Sequence, residues 1–182
     1  MKSTLLVPVI LLAVNSICSA QAPLPSSATV MQQAFSQAKK EHKQVLLLFY
    51  ASWCGWCRKM EASINDAECK KLFNDNYVIT YLDVLENQGK ENLENPGSMD
   101  LLRKYKGEKA GLPFWVIVDA KGNLLADSQI RPSGAGLDAP GNNTGCPSQP
   151  NEVTYFAGVL KTTSKLTEEQ LSVIEKRFLK NQ

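Results

Sequence analysis

The 182-residue chain has one histidine, five cysteines and almost no charge excess. Each scarcity closes off a class of function. Lys+Arg 20 against Asp+Glu 18 leaves a formal net charge of +2, and no run of Lys and Arg exceeds a few residues. Nothing therefore marks a surface for nucleic acid or for an acidic membrane. The lone imidazole, His42, sits beside Lys43 on a polar stretch and offers little to a metal centre. No internal run approaches the roughly 20 apolar residues of a membrane-spanning helix. The cysteines are too sparse for a disulfide-built scaffold, so the 43% apolar content must supply a packed core. The length suits one domain better than two.

What is present begins with an export signature. Lys2 is followed by the apolar run Leu5 to Val14, about half a membrane span, and then by Cys18-Ser19-Ala20, small side chains that suit a signal peptidase. We expect a signal peptide over 1–20, cleaved after Ala20. An uncleaved anchor and a lipid-modified Cys18 are the competing readings. Export places the protein where disulfides persist. A Pro- and Ser-rich lead-in is expected over 21–27 and a single domain over 28–182.

Within that domain, Val30, Met31, Ala34, Phe35 and Ala38 follow helical spacing. Val45 to Tyr50 is a short continuous apolar run, the pattern of a strand buried on both faces. A helix is expected from Cys54 onward, broken near Asn65-Asp66. Tyr77 to Val84 reads as a second strand, and a short helix capped by Ser98 follows. Pro113 to Val118 and Leu124 to Ala126 read as a hairpin about the turn at Asp119 to Asn123. Pro132 to Pro150 has no periodicity and reads as a long surface loop. Val153 to Leu160 suits a helix, and Thr167 to Gln170 is a capping box opening another. Two β–α–β crossovers and a hairpin predict an α/β fold, a small mixed sheet flanked by helices.

The strongest chemical signal is Trp53-Cys54-Gly55-Trp56-Cys57 at a strand-to-helix junction. A cysteine there meets unpaired backbone N–H groups and the positive end of the helix dipole. Both favour the thiolate, which is the nucleophile. Two intervening residues let one helical turn bring the sulfurs within disulfide reach. Cys54 would attack a substrate disulfide and Cys57 would resolve the mixed disulfide, or the reverse sequence would oxidise a substrate. Other readings compete. Zinc needs four ligands, and Cys69 and Cys146 could complete a set only without ribbon spacing. Covalent haem needs His after the second cysteine, where Arg58 stands. A structural disulfide across so short a loop gains little entropy.

These residues carry a resemblance to the thioredoxin superfamily. The stretch Phe49 to Met60, with Asp83 after the next strand and Gly111-Leu112-Pro113 before the third, resembles its active-site frame. The resemblance spans roughly Val45 to Ser128 and implies a thioredoxin-like three-layer sandwich. It further implies that Pro113 is a cis-proline facing the disulfide, with a trans-proline opening a strand as the alternative, and that the Leu112 backbone pairs with an extended substrate. Trp53, Gly55 and Trp56 would frame the contact surface, or the tryptophans merely pack. Leu48 occupies the position where thioredoxins carry a buried Asp, so the proton-transfer role is vacant. Glu61 shares the helix face of the two cysteines and is a candidate proton acceptor; its plain reading is a solvated residue pairing with Arg58. The run through Arg58-Lys59-Met60-Glu61 resembles exported domains related to membrane electron-transporting reductases.

The expected protein is an exported, periplasmic oxidoreductase that reduces or exchanges disulfides in other proteins. It is recharged by a redox partner, plausibly a membrane electron-transporting reductase, and needs no metal or organic cofactor. A disulfide-forming oxidase of the same fold, a thiol peroxidase and a non-catalytic binding or chaperone module are the rivals. Cys69 is expected as a small buried hydrophobe and Cys146 as a loop residue, and a Cys69–Cys146 bond pinning that loop is left open.

Overall fold

The structure, a computed structural model, describes residues 23–182. The expected signal peptide and the first two residues of the lead-in lie outside the described residues.

Helix α1, Ser27–Glu41, is capped by Ser26, whose hydroxyl accepts the Thr29 N–H. It thus opens one residue ahead of the expected domain start. Strand β1, Gln44–Tyr50, follows, then α2, Gly55–Ile64, and α3, Lys70–Asn76, separated at the expected break. Strand β2, Tyr77–Asp83, leads through a polar connection to α4, Ser98–Lys104. Ser98 does not cap that helix: Gly97 holds the cap position, and the Ser98 hydroxyl donates to the Asp83 carbonyl at 2.8 Å. Strands β3, Phe114–Val118, and β4, Leu124–Asp127, form the hairpin. Two-residue strands β5, Gln129–Ile130, and β6, Asn142–Asn143, pair with each other. Helices α5, Pro150–Thr163, and α6, Glu168–Leu179, close the chain, the latter with the expected capping box.

The main sheet has the order β2-β1-β3-β4. β1 is parallel to β2 and antiparallel to β3. The second connection is therefore not the expected crossover. The chain re-enters the sheet from the end at which it left.

Alternation across β1 and β3 builds two cores. Leu46, Leu48, Trp115 and Ile117 face a cluster with Met60, Phe73, Phe156 and Phe178 from α2, α3, α5 and α6. Val45, Leu47, Phe49, Phe114, Val116 and Val118 face α1 and α4. Both strands run apolar because each face is covered. The result is a three-layer sandwich. Among the described residues no helix is long and apolar enough to cross a membrane.

The 132–150 segment is exposed over 132–138, as a surface loop should be, but it is anchored to the body at several points. Arg131 donates both Nη atoms to the Asp127 carboxylate at 2.7 Å, and the pair is almost wholly buried. Its Nε donates to the Ala139 carbonyl at 2.7 Å. Asn143 Nδ2 donates to the carbonyls of Ala110, Gly111 and Pro113. The segment is stapled to the body, and Cys146, expected on an exposed loop, is buried in the first core. Its composition hid this because the anchors are single polar side chains with no periodicity.

Candidate functional site

The C-terminal end of β1 delivers the chain into α2 through a tight turn in which the Cys54 N–H donates to the Ala51 carbonyl at 3.0 Å. Cys54 is the N-cap of α2, and its sulfur accepts the Cys57 N–H at 3.0 Å. That sulfur thus meets an orphan donor at the positive end of a helix. Cys54 and Cys57 are joined by a disulfide. They are 2% and 1% exposed, whereas Trp53 and Trp56 on either side are 48% and 46% exposed. The sulfurs therefore lie beneath an apolar collar on an otherwise polar surface.

Neither tryptophan is free to wander. The Trp53 indole donates to the Leu85 carbonyl at 2.8 Å. Lys59 Nζ lies 4.1 Å from the centre of the Trp56 ring, a cation–π contact. Gly55 opens α2 between them and is exposed.

The Leu112–Pro113 peptide bond is cis. Leu112 packs with Ala51, Cys54 and Cys57, so the sequence-distant Gly111-Leu112-Pro113 and the C-x-x-C form one surface. Beside it lies a groove of about 280 Å³ lined by Trp56, Gly111, Leu112, Thr144 and Cys146, among others. Thr144 is buried, and its hydroxyl has no partner among the described residues.

Glu61 is exposed on α2. Its carboxylate makes no hydrogen bond or ion pair among the described residues, and Arg58, its expected partner, donates instead to the Ser52 carbonyl at 2.9 Å. The Glu61 charge reaches Tyr81, whose hydroxyl is pushed up to about 12, by burial first and by Glu61 second. Tyr81 is the β2 residue registered with Leu48.

Cys69 and Cys146 are both free and buried. Burial pushes the Cys69 thiol up to about 11 and the Cys146 thiol up to about 12, so neither is a ready nucleophile. The Cys146 sulfur accepts from Asn181 Nδ2 at 3.4 Å.

Sequence reasoning missed several residues that shape the site: Glu86, which grips Ser52, Asn143, which holds the cis-proline loop, and Asn181. Each acts across more than 30 residues of chain, and no local pattern announces such a contact.

The family description for a thioredoxin-like domain matches residues 31–131, more than half of the chain. The chain is 29% identical over 100 residues to the thiol:disulfide interchange protein DsbD of Vibrio cholerae, covering 55% of this chain and 15% of that protein. It is 40% identical over 53 residues to spermatogenesis-associated protein 20 of Mus musculus, covering 29% of this chain and 7% of that protein. The chain thus spans a small part of the length of either relative. Among solved structures, a disulphide isomerase from Xylella fastidiosa matches at 25% identity with a TM-score of 0.45, covering 59% of this chain and 79% of the other.

Proposed function

This chain belongs to the thioredoxin-like domain family, and from that premise we propose that it is an exported oxidoreductase that reduces or exchanges disulfides in other proteins. Thiol–disulfide exchange at the C-x-x-C pair comes with the family; the reducing direction, the export and the individual residue roles belong to the proposal. The observation that carries it is the Cys54–Cys57 disulfide at the N-terminus of α2, with Cys54 as the cap.

In the reduced protein the Cys54 thiolate attacks one sulfur of a substrate disulfide. The substrate S–S bond breaks, and its other sulfur leaves as a thiolate that takes a proton from water. Cys57 then gives up its proton, and its thiolate attacks the Cys54 sulfur. The second substrate thiol is released, and the Cys54–Cys57 pair is left oxidised by two electrons. Glu61 is the candidate acceptor of the Cys57 proton; its free carboxylate and its reach toward Tyr81 support that role. The Leu112 backbone and the Trp53–Gly55–Trp56 collar receive an extended substrate segment. A redox partner, a membrane electron-transporting reductase, returns the two electrons. The domain takes up 28–182, behind a signal peptide over 1–20.

The test is turnover of a disulfide-bonded protein such as insulin with dithiothreitol as electron donor, read by precipitation of the freed chains. Cys54→Ser abolishes turnover. Cys57→Ser stalls at a mixed disulfide that gel electrophoresis without reductant detects. Glu61→Gln slows resolution of that mixed disulfide at neutral pH, and an unchanged rate removes Glu61 from the mechanism. Equal turnover by wild type and Cys54→Ser would sink the oxidoreductase reading and leave a binding module.

A further inference from the structure

Ser52, two residues ahead of Cys54, has all three of its polar groups held by charged side chains. Its N–H and its hydroxyl donate to the two carboxylate oxygens of Glu86, the hydroxyl at 2.7 Å. Its carbonyl accepts from Arg58 Nη1 at 2.9 Å. Arg58 belongs to α2, but Glu86 comes from the connection after β2, 34 residues along the chain.

That connection is shaped for the contact. Leu85 has a φ of 54°, a left-handed conformation that an apolar residue keeps only where the surroundings hold it. Here the Leu85 carbonyl accepts the Trp53 indole N–H at 2.8 Å, and the Glu86 N–H donates to Glu94 Oε1 at 2.8 Å. Four hydrogen bonds therefore join residues 85–94 to Ser52 and Trp53 or brace the residue that does so. A half-buried carboxylate is thus held two residues ahead of the first cysteine. Its charge is felt inward as well: the Asp83 carboxyl is raised by burial first and by Glu86 second.

Resting on the thiol–disulfide reading above, we propose that Glu86 is a positioning residue that sets the redox poise of the Cys54–Cys57 pair. It fixes the turn that presents Cys54, and its negative charge opposes the thiolate formed when the disulfide is opened. Reduction consumes two electrons and one proton, breaks the Cys54–Cys57 bond, and yields a Cys54 thiolate and a Cys57 thiol. A carboxylate held on Ser52, two residues ahead of that thiolate, favours the disulfide side and keeps the pair a reductant. Arg58, bound to the same turn, pulls the other way. The two charges form a balance around a serine that takes no part in the chemistry.

The experiment equilibrates the mature protein with mixtures of reduced and oxidised glutathione and reads the oxidised fraction by alkylation and mass. Glu86→Gln keeps the shape and loses the charge. It is expected to move the equilibrium constant three- to tenfold toward the dithiol, tenfold being about 30 mV. Glu86→Asp keeps the charge and stays within about twofold of wild type. Arg58→Gln moves the equilibrium in the opposite direction and supplies an independent reading should Glu86→Gln fail to fold. An equilibrium in Glu86→Gln equal to wild type overturns the proposal, as does a Glu86→Asp shift as large as that of Glu86→Gln, or a shift of Arg58→Gln toward the dithiol. A wild-type protein with no reversible couple removes the oxidoreductase reading itself. That outcome is distinct from a reversible couple that ignores Glu86.

Discussion

Four cysteines of the described chain share one sulfur chemistry and split into two behaviours through their surroundings. Cys54 meets the N–H donors of α2, whereas Cys69 and Cys146 are sealed among phenylalanines and leucines. Burial disfavours the charged form of a thiol. A buried thiol with a raised pKa also makes stability depend on pH. In the unfolded chain a cysteine ionises near 8.5, while in the folded protein Cys69 and Cys146 hold their protons to about 11 and about 12. Above about pH 8.5 the unfolded state therefore binds fewer protons than the folded one, and stability falls as pH rises. Each thiol contributes a slope of about 1.4 kcal/mol per pH unit. Urea unfolding of the oxidised protein between pH 8.5 and 10 should show this decline, and Cys69→Ala/Cys146→Ala should flatten it. Iodoacetamide applied to the reduced, folded protein should label Cys54 and leave Cys69 and Cys146 untouched.

At the scale of elements, the segment between β4 and α5 shows how single side chains replace regular structure. The Asp127–Arg131 pair, 1% and 6% exposed at the side chains, closes the ring from β4 to Ala139. Asp127 also accepts the Gln129 N–H at 2.9 Å, and the Tyr155 hydroxyl donates to the carbonyls of Asp127 and Gln129. Arg131→Ala leaves the Asp127 carboxylate buried without its cation, which costs about 3–5 kcal/mol. Asp127→Asn together with Arg131→Met removes both charges and should recover part of that loss in urea midpoints. A double variant as unstable as Arg131→Ala would show that the guanidinium bonds to the loop carbonyls matter more than the ion pair. The same segment carries Asn143 to the carbonyls around Pro113. The loop thereby connects fold stability to the geometry of the surface around Pro113.

For the whole molecule, β1 and β3 carry both the core and the site. β1 ends at the turn into Cys54, β3 begins directly after Pro113, and the antiparallel pairing of Phe49 with Phe114 brings the two together. Asn181 ties the last turn of the chain to α2 and the inserted segment: its side chain bonds Ser63 and Cys146, and its carbonyl accepts from Lys59. The export proposal is tested on the full chain produced in a Gram-negative host. The expected product, recovered from the periplasmic fraction, has a mass short by residues 1–20. A cytoplasmic product of full mass would refute it.

The sequence alone determined the four strands of the main sheet, most of the helices and the C-x-x-C at a helix start, but not the short pair β5 and β6. Those features are written in local terms: continuous apolar runs, 3.6-residue spacing, a capping box at Thr167 and two cysteines one turn apart. The order of the sheet and the reversal of β3 were not legible, because direction depends on how the long connection between β2 and β3 packs against the body, and no local pattern states that. Nor were the burial of Cys146, the Glu86 grip on Ser52 or the Asn143 clamp. Each is a polar contact between residues far apart in sequence. Such a contact leaves no periodicity to read, and it exists only once the packed cores have brought both ends to the same place.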